Sequence, residues 1–113
     1  MDLQEAPVAI TPTALGFHVA IIGSVHTNTA WLERELEKVV SAKPREVELD
    51  LLRLRFLSSS GVGVLVAFRR GIVNSGGSLR VVAVQKTVFG TLRFAHLDEL
   101  FKIDPAVVAD GEP

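Results

Sequence analysis

Short β-branched apolar runs alternate along this chain with longer segments whose apolar residues recur every three or four positions. A chain built this way must cross over a sheet repeatedly, which implies an α/β fold with a largely parallel sheet. GFHVAIIG (16–23) reads as a strand, and its near-continuous apolarity predicts burial on both faces. VAIT (8–11) is placed to pair with it as a hairpin through Pro12–Leu15. In HTNTAWLERELEKVVSAKP (26–44), Trp31, Leu32, Leu36, Val39 and Val40 have helical spacing. Thr27, Asn28 or Thr29 supplies the cap, Glu33 and Glu37 lie on the polar face, Glu35 and Lys38 form an i,i+3 pair, and Pro44 ends the helix.

The second half repeats the alternation. REVELDLLRLRFL (45–57) holds a strand that is clearest at Val47, Leu49 and Leu51 and turns irregular near Leu52–Arg55. SSSGVGVLVAFRRGIVNSGG (58–77) begins a helix with Gly61, Val64, Leu65, Phe68 and Ile72 on one stripe, stopped by Asn74-Ser75-Gly76-Gly77. SLRVVAV (78–84) is a third buried strand, and TVFGTLRFAHL (87–97) has Val88, Leu92 and Ala95 at helical spacing. FKI (101–103) reads as a short last strand, with Pro105 opening a final turn of helix. Residues 8–104 are expected to form one domain, with 1–7 and 105–113 as flexible or loosely packed ends.

Composition narrows the function classes. The chain has 113 residues, 48% of them hydrophobic, a net charge of −1 and no cysteine. One core fits that length. The balanced charge argues against nucleic-acid binding, and the absent cysteines exclude disulfides and thiolate metal sites. The N-terminus MDLQEAPVAI is acidic where a signal peptide is basic, and no run of apolar residues is long enough to span a bilayer. The expectation is a soluble, cytoplasmic protein without a cofactor. His18, His26 and His96 share no ligand spacing, so no metal site is expected.

The chemistry-bearing stretch is Ser58-Ser59-Ser60 between a strand and a helix. The first N–H groups of a helix have no intrahelical partners and carry about half a positive charge. A serine there serves as a cap, and a phosphate on a serine there meets the same donors. Such a phosphate adds about −1.5 to −2 charges. Gly61 and Gly63 allow a partner's backbone to come close. As a hydrolase site the stretch would use Ser59 with His26, but the Gly-x-Ser-x-Gly pattern of a nucleophile elbow is absent. GVGVLV (61–66) lacks the third glycine of a nucleotide loop, with Val66 in its place, and no Lys-Ser/Thr pair follows. Arg53, Arg55, Arg69 and Arg70 lie near the serines and read as a solvated face. Trp31 and Phe68 read as core, while Phe89, Phe94 and Phe101 fit either core or a partner patch.

VELDLLRLRFLSSSGVGVLVAFRR (47–70), NSGGSLRVVAV (74–84) and TLRFAHLDELFKI (91–103) together resemble the STAS domain of bacterial anti-sigma factor antagonists. Asp50 matches that family's strand-end aspartate, and Ser59, Ser60, Gly61 and Gly63 match its Ser-Ser-Gly-x-Gly. Gly76 and Gly77 match its turn, and Leu97, Leu100 and Phe101 its terminal motif. The resemblance spans about residues 8–104. It implies a single STAS-like α/β domain, a mixed and mostly parallel sheet of four to five strands covered by about four helices. It further implies a non-enzymatic protein that binds an anti-sigma factor, often a serine kinase, until Ser59 is phosphorylated. Ser24, His26, Ser58, Ser60, Gly61 and Gly63 would then lie on the partner surface. The chain departs from the pattern in two places. Ser58 replaces the aspartate before the phosphorylated serine, and Gly23-Ser24-Val25-His26 replaces Gly-Glu-Leu-Asp. These changes remove three negative charges and point also to a second role, a non-phosphorylated scaffold in a signalling assembly or an accessory subunit of a lipid transporter.

Overall fold

Alternating burial along one strand shows how the layers are arranged. In β4 (Glu46–Leu51), Val47, Leu49 and Leu51 are fully buried while Glu46, Glu48 and Asp50 are half-exposed. One face of the sheet therefore carries the core and the other meets solvent. The computed structural model describes residues 8–109. β1 (Val8–Pro12) pairs antiparallel with β2 (Gly16–Ile21), with Ile10 opposite Val19. β2 runs parallel to β4, and β4 to β6 (Ser78–Gln85). The sheet order is β1-β2-β4-β6-β7, where β7 is Val108–Ala109. Among the described residues the four α-helices are α1 (Ala30–Ser41), α2 (Ser59–Asn74), α3 (Lys86–Phe94) and α4 (Leu97–Leu100). They supply Leu32, Leu36, Leu65, Phe68, Ile72, Val88 and Leu92 to the core. Each such side chain contributes roughly 1.5–3 kcal/mol by leaving water.

Five details differ from the sequence expectation. First, the run 16–23 is not buried on both faces: Val19 and Ile21 point into the core, but His18 and Ala20 lie on the solvent side. Second, the run is not one strand. Gly23 has φ +99°, and the chain restarts as β3 (Gly23–Val25), which pairs with β5 (Leu54–Leu57) in a separate two-stranded parallel sheet. Third, FKI (101–103) is a turn rather than a strand: Lys102 has φ +51°, and the last strand lies further on, at β7. Fourth, the packed chain continues past Asp104, because Pro105–Val107 forms a 3-10 turn that leads into β7. Residues 1–7 and 110–113, expected as loose ends, lie outside the described residues. Fifth, His96, with φ +61°, divides the expected helix 87–97 into α3 and α4.

The solvent face of the sheet neutralises its own charge across strands. His18 on β2 sets Nδ1 3.0 Å from Glu48 Oε1 and Nε2 3.1 Å from Asp50 Oδ2, both on β4. From β6, Arg80 donates to Glu46 Oε2 at 3.4 Å and Glu48 Oε2 at 3.3 Å. The hydrogen bond with Glu48, joined by that with Asp50, raises the His18 pKa above its ordinary value against the opposing effect of partial desolvation. Asp50 Oδ1 also accepts from the Leu52 N–H at 3.0 Å, which shapes the turn into β5.

Candidate functional site

The serine run sits where β5 ends and α2 begins. Ser58 is still extended, with φ −74° and ψ 168°, and is the N-cap of α2. Its Oγ accepts from the Gly61 N–H at 3.1 Å and donates to the His26 carbonyl at 2.7 Å. Its backbone N–H donates to the Val25 carbonyl at 2.9 Å, and its carbonyl accepts from Val62 at 2.9 Å. Ser58 thus joins three segments: the end of β3, the loop after it and the first turn of α2. With that hydroxyl engaged, Ser59 at the first helical position is exposed, and its side chain has no hydrogen-bond partner among the described residues. No acidic residue lies in the first turn of α2 to oppose a new negative charge.

The small β3–β5 sheet brings the other expected residues to the same place. Ser24 is opposite Phe56 in its register, and Val25 is opposite Leu57. His26 follows β3 and is exposed, its ring centroid 5.2 Å from that of Phe56 and tilted by 30°. Sequence reasoning did not pick out Phe56. It is 48% exposed beside the serine turn, because the four-residue β5 breaks alternation and points both Arg55 and Phe56 outward.

The two glycines play different parts. Gly61, expected on the partner surface, is buried. A Cβ there would lie 2.7 Å from both Leu57 Cδ1 and Val25 Cγ1, so internal packing requires this glycine. Gly63 is exposed, and a Cβ there would meet nothing within 4 Å. Ser60 is exposed next to it. Gly63 and Ser60 line a groove of about 510 Å³ between α1 and α2, floored by Leu36, Val64 and Phe68.

The remaining candidates fall outside this cluster or into the core. Phe68 is buried, whereas Trp31 is only half-buried and donates its indole N–H to the Asn28 carbonyl at 2.8 Å. Phe101 is core, Phe89 packs partly against it, and Phe94 is 89% exposed. Arg53, Arg55 and Arg70 are exposed and Arg69 is half-exposed. Among the described residues no three His, Asp or Glu side chains are placed to hold a metal ion. No helix of the described residues is long and apolar enough to cross a membrane.

Comparison with known proteins agrees with this geometry. The family model described as the STAS domain matches residues 17–109. Among solved structures, an anti-sigma factor antagonist from Mycobacterium paratuberculosis is similar with a TM-score of 0.79 and 24% identity, covering 89% of this chain and 86% of that one. The anti-sigma factor antagonist SpoIIAA in its unphosphorylated form is similar at TM-score 0.68 and 15% identity, covering 94% and 89%. The Bacillus cell fate determinant SpoIIAA in the phosphorylated form is similar at TM-score 0.65 and 16% identity, covering 94% and 92%. At these identities the likeness is one of fold.

Proposed function

The chain belongs to the STAS domain family, and from that premise we propose that it is an anti-sigma factor antagonist whose Ser58–Gly63 turn binds an anti-sigma factor of the serine-kinase type. Ser59 is the phosphoacceptor. One observation carries this reading: Ser58 is committed as cap and bridge, so the exposed hydroxyl of Ser59 is left without a hydrogen-bond partner among the described residues at a helix start. Ser58 does here the capping work of the aspartate that the family pattern places before its phosphorylated serine. Phosphate on Ser59 would add about two negative charges in the middle of the contact surface, and their desolvation would oppose docking. The protein acts by binding rather than turnover.

Incubation with the cognate kinase and ATP, read by intact mass, tests the switch. One phosphate is expected on the native protein and none on Ser59→Ala. No phosphate on the native protein, or an unchanged amount on Ser59→Ala, removes it.

The second reading, an unphosphorylated scaffold or accessory subunit, is favoured by the neutral or basic groups that occupy the family's acidic positions, namely Ser24, His26 and Ser58. A pull-down separates the two. A kinase-like ATPase on the resin supports the first, and a transporter ATPase or a large homologous assembly supports the second.

A further inference from the structure

Helices α1 and α2 do not pack along their whole length. At one end they touch, since a Cβ on Gly71 would lie 3.1 Å from Val40 Cγ1 and 3.2 Å from Cγ2. Two turns earlier, at Gly63, a Cβ would meet nothing within 4 Å. The 510 Å³ groove is therefore a wedge, closed at Gly71 and open toward Ser60. Its α2 wall is Ser60, Gly63, Ala67 and Gly71, and its floor is apolar. Its α1 wall carries Glu33 and Glu37, one helical turn apart. Glu33 Oε2 accepts from Thr29 Oγ1 at 2.9 Å, and among the described residues neither glutamate has a cationic partner. Gly63 weakens the helix around it, and nothing within the described chain occupies the space that it leaves.

We infer that this groove receives an amphipathic helix of the protein partner. Apolar side chains of that helix enter between α1 and α2, and its lysines or arginines face Glu33 and Glu37. The inference rests on the partner-binding reading above and specifies the chemistry of the partner's contacting segment. Charge decides between occupants. An acidic segment would be repelled by the α1 wall, and a second copy of this chain presenting the same wall would set glutamate against glutamate. A basic helix with cations at i and i+4 matches the Glu33–Glu37 spacing, and an apolar groove between two helices is the usual seat of such a segment. The volume lies in the range of sites that enclose a few anchoring groups. The open end shares Ser60 with the serine turn, so one partner can cover both.

The test is a titration of the full-length, ¹⁵N-labelled protein with two synthetic amphipathic helices, one of Leu and Lys and the other of Leu and Glu. Saturable amide shifts at Gly63, Ala67 and Glu37 are expected with the Lys peptide and none with the Glu peptide. Raising the salt concentration should weaken binding. Glu33→Gln combined with Glu37→Gln should weaken it roughly fivefold to tenfold, the effect of two solvent-exposed ion pairs. Gly63→Leu should fill the wedge and reduce binding at least about tenfold, while the circular dichroism spectrum stays native because its Cβ meets nothing within 4 Å and the rest of the side chain extends into the open groove. Equal shifts with both peptides, shifts confined elsewhere, unchanged binding by Gly63→Leu, or self-association through the groove without peptide would overturn the inference. Phosphorylation of Ser59 is read separately. If the Lys peptide misses the groove while Ser59 still accepts phosphate, the groove fails and the switch stands. If the peptide fills the groove and Ser59 accepts none, the switch fails and the groove stands.

Discussion

Replacing Gly61 and Gly63 by alanine, one at a time, should move stability in opposite directions. Both lie in α2, and in a helix interior alanine is favoured over glycine by about 1 kcal/mol. At Gly63 that preference acts alone, because a Cβ meets nothing within 4 Å. Gly63→Ala should therefore stabilise by roughly 0.5–1 kcal/mol. At Gly61 the new methyl would lie 2.7 Å from Leu57 Cδ1 and 2.7 Å from Val25 Cγ1, inside ordinary van der Waals contact. Leu57 is 4% exposed and Val25 fully buried, so neither can swing into solvent, and the valine is stiff at χ1. Overpacking of this kind costs about 1–3 kcal/mol. The helix preference offsets only part of it, since Gly61 sits in the first turn, so the net loss should be about 1–2 kcal/mol. The two variants, two residues apart, should then differ by roughly 1.5–3 kcal/mol. Urea unfolding at 25 °C measures this directly. With slopes of about 1–3 kcal/mol/M, the two midpoints should be separated by roughly 0.5–3 M and the slopes should be equal. A Gly61→Ala protein as stable as wild type, or a Gly63→Ala protein less stable, would refute the packing argument at the base of the serine turn.

Three further outcomes are expected. Ser58→Ala removes a helix cap and the bond to the His26 carbonyl together, so unfolding should require about 1–2 kcal/mol less, measured by chemical denaturation. His18 has a raised pKa in the folded state. Its contribution is thus complete below its unfolded value of about 6.5 and is lost as pH rises through the folded value. Unfolding free energy measured between pH 6 and pH 8.5 should fall more steeply for wild type than for His18→Gln, with Glu48, Asp50, Glu46 and Arg80 present in both; parallel profiles would refute the two-carboxylate clamp. Phe94→Ser should leave stability within about 0.5 kcal/mol, while Phe101→Ala should cost about 3–5 kcal/mol, although both residues lie in the same short terminal region. Thermal melts of the two proteins check this contrast.

The long, strongly periodic elements were legible in the sequence. The stripe Leu32–Leu36–Val39 and the stripe Gly61–Val64–Leu65–Phe68–Ile72 are both buried in the fold. The hairpin of β1 and β2 forms as expected, although Pro12 belongs to β1 and the turn is residues 13–15. Short elements were not legible. β3 looks like the end of an apolar run until the positive φ of Gly23 breaks it, and β5 has only four residues. At 101–103, Phe101 and Ile103 are buried and Lys102 is exposed, a pattern that imitates a strand although the backbone at Lys102 is left-handed. Contacts between distant segments were also beyond a linear reading. Nothing local in the sequence places His18 between Glu48 and Asp50, brings Phe56 beside His26, or leaves a wedge between Gly63 and Glu37. The serine turn was readable because a strand, three hydroxyls and a helix follow one another directly in the chain.

The double engagement of Ser58 locks the loop bearing His26 to the base of α2, so the two strips of surface flanking Ser59 cannot be displaced independently. A group attached at Ser59 would meet a firm platform rather than a hinge. Any signal written there would be read as altered electrostatics on an unchanged shape, and it would be erased as soon as the group was removed, with no refolding step in between.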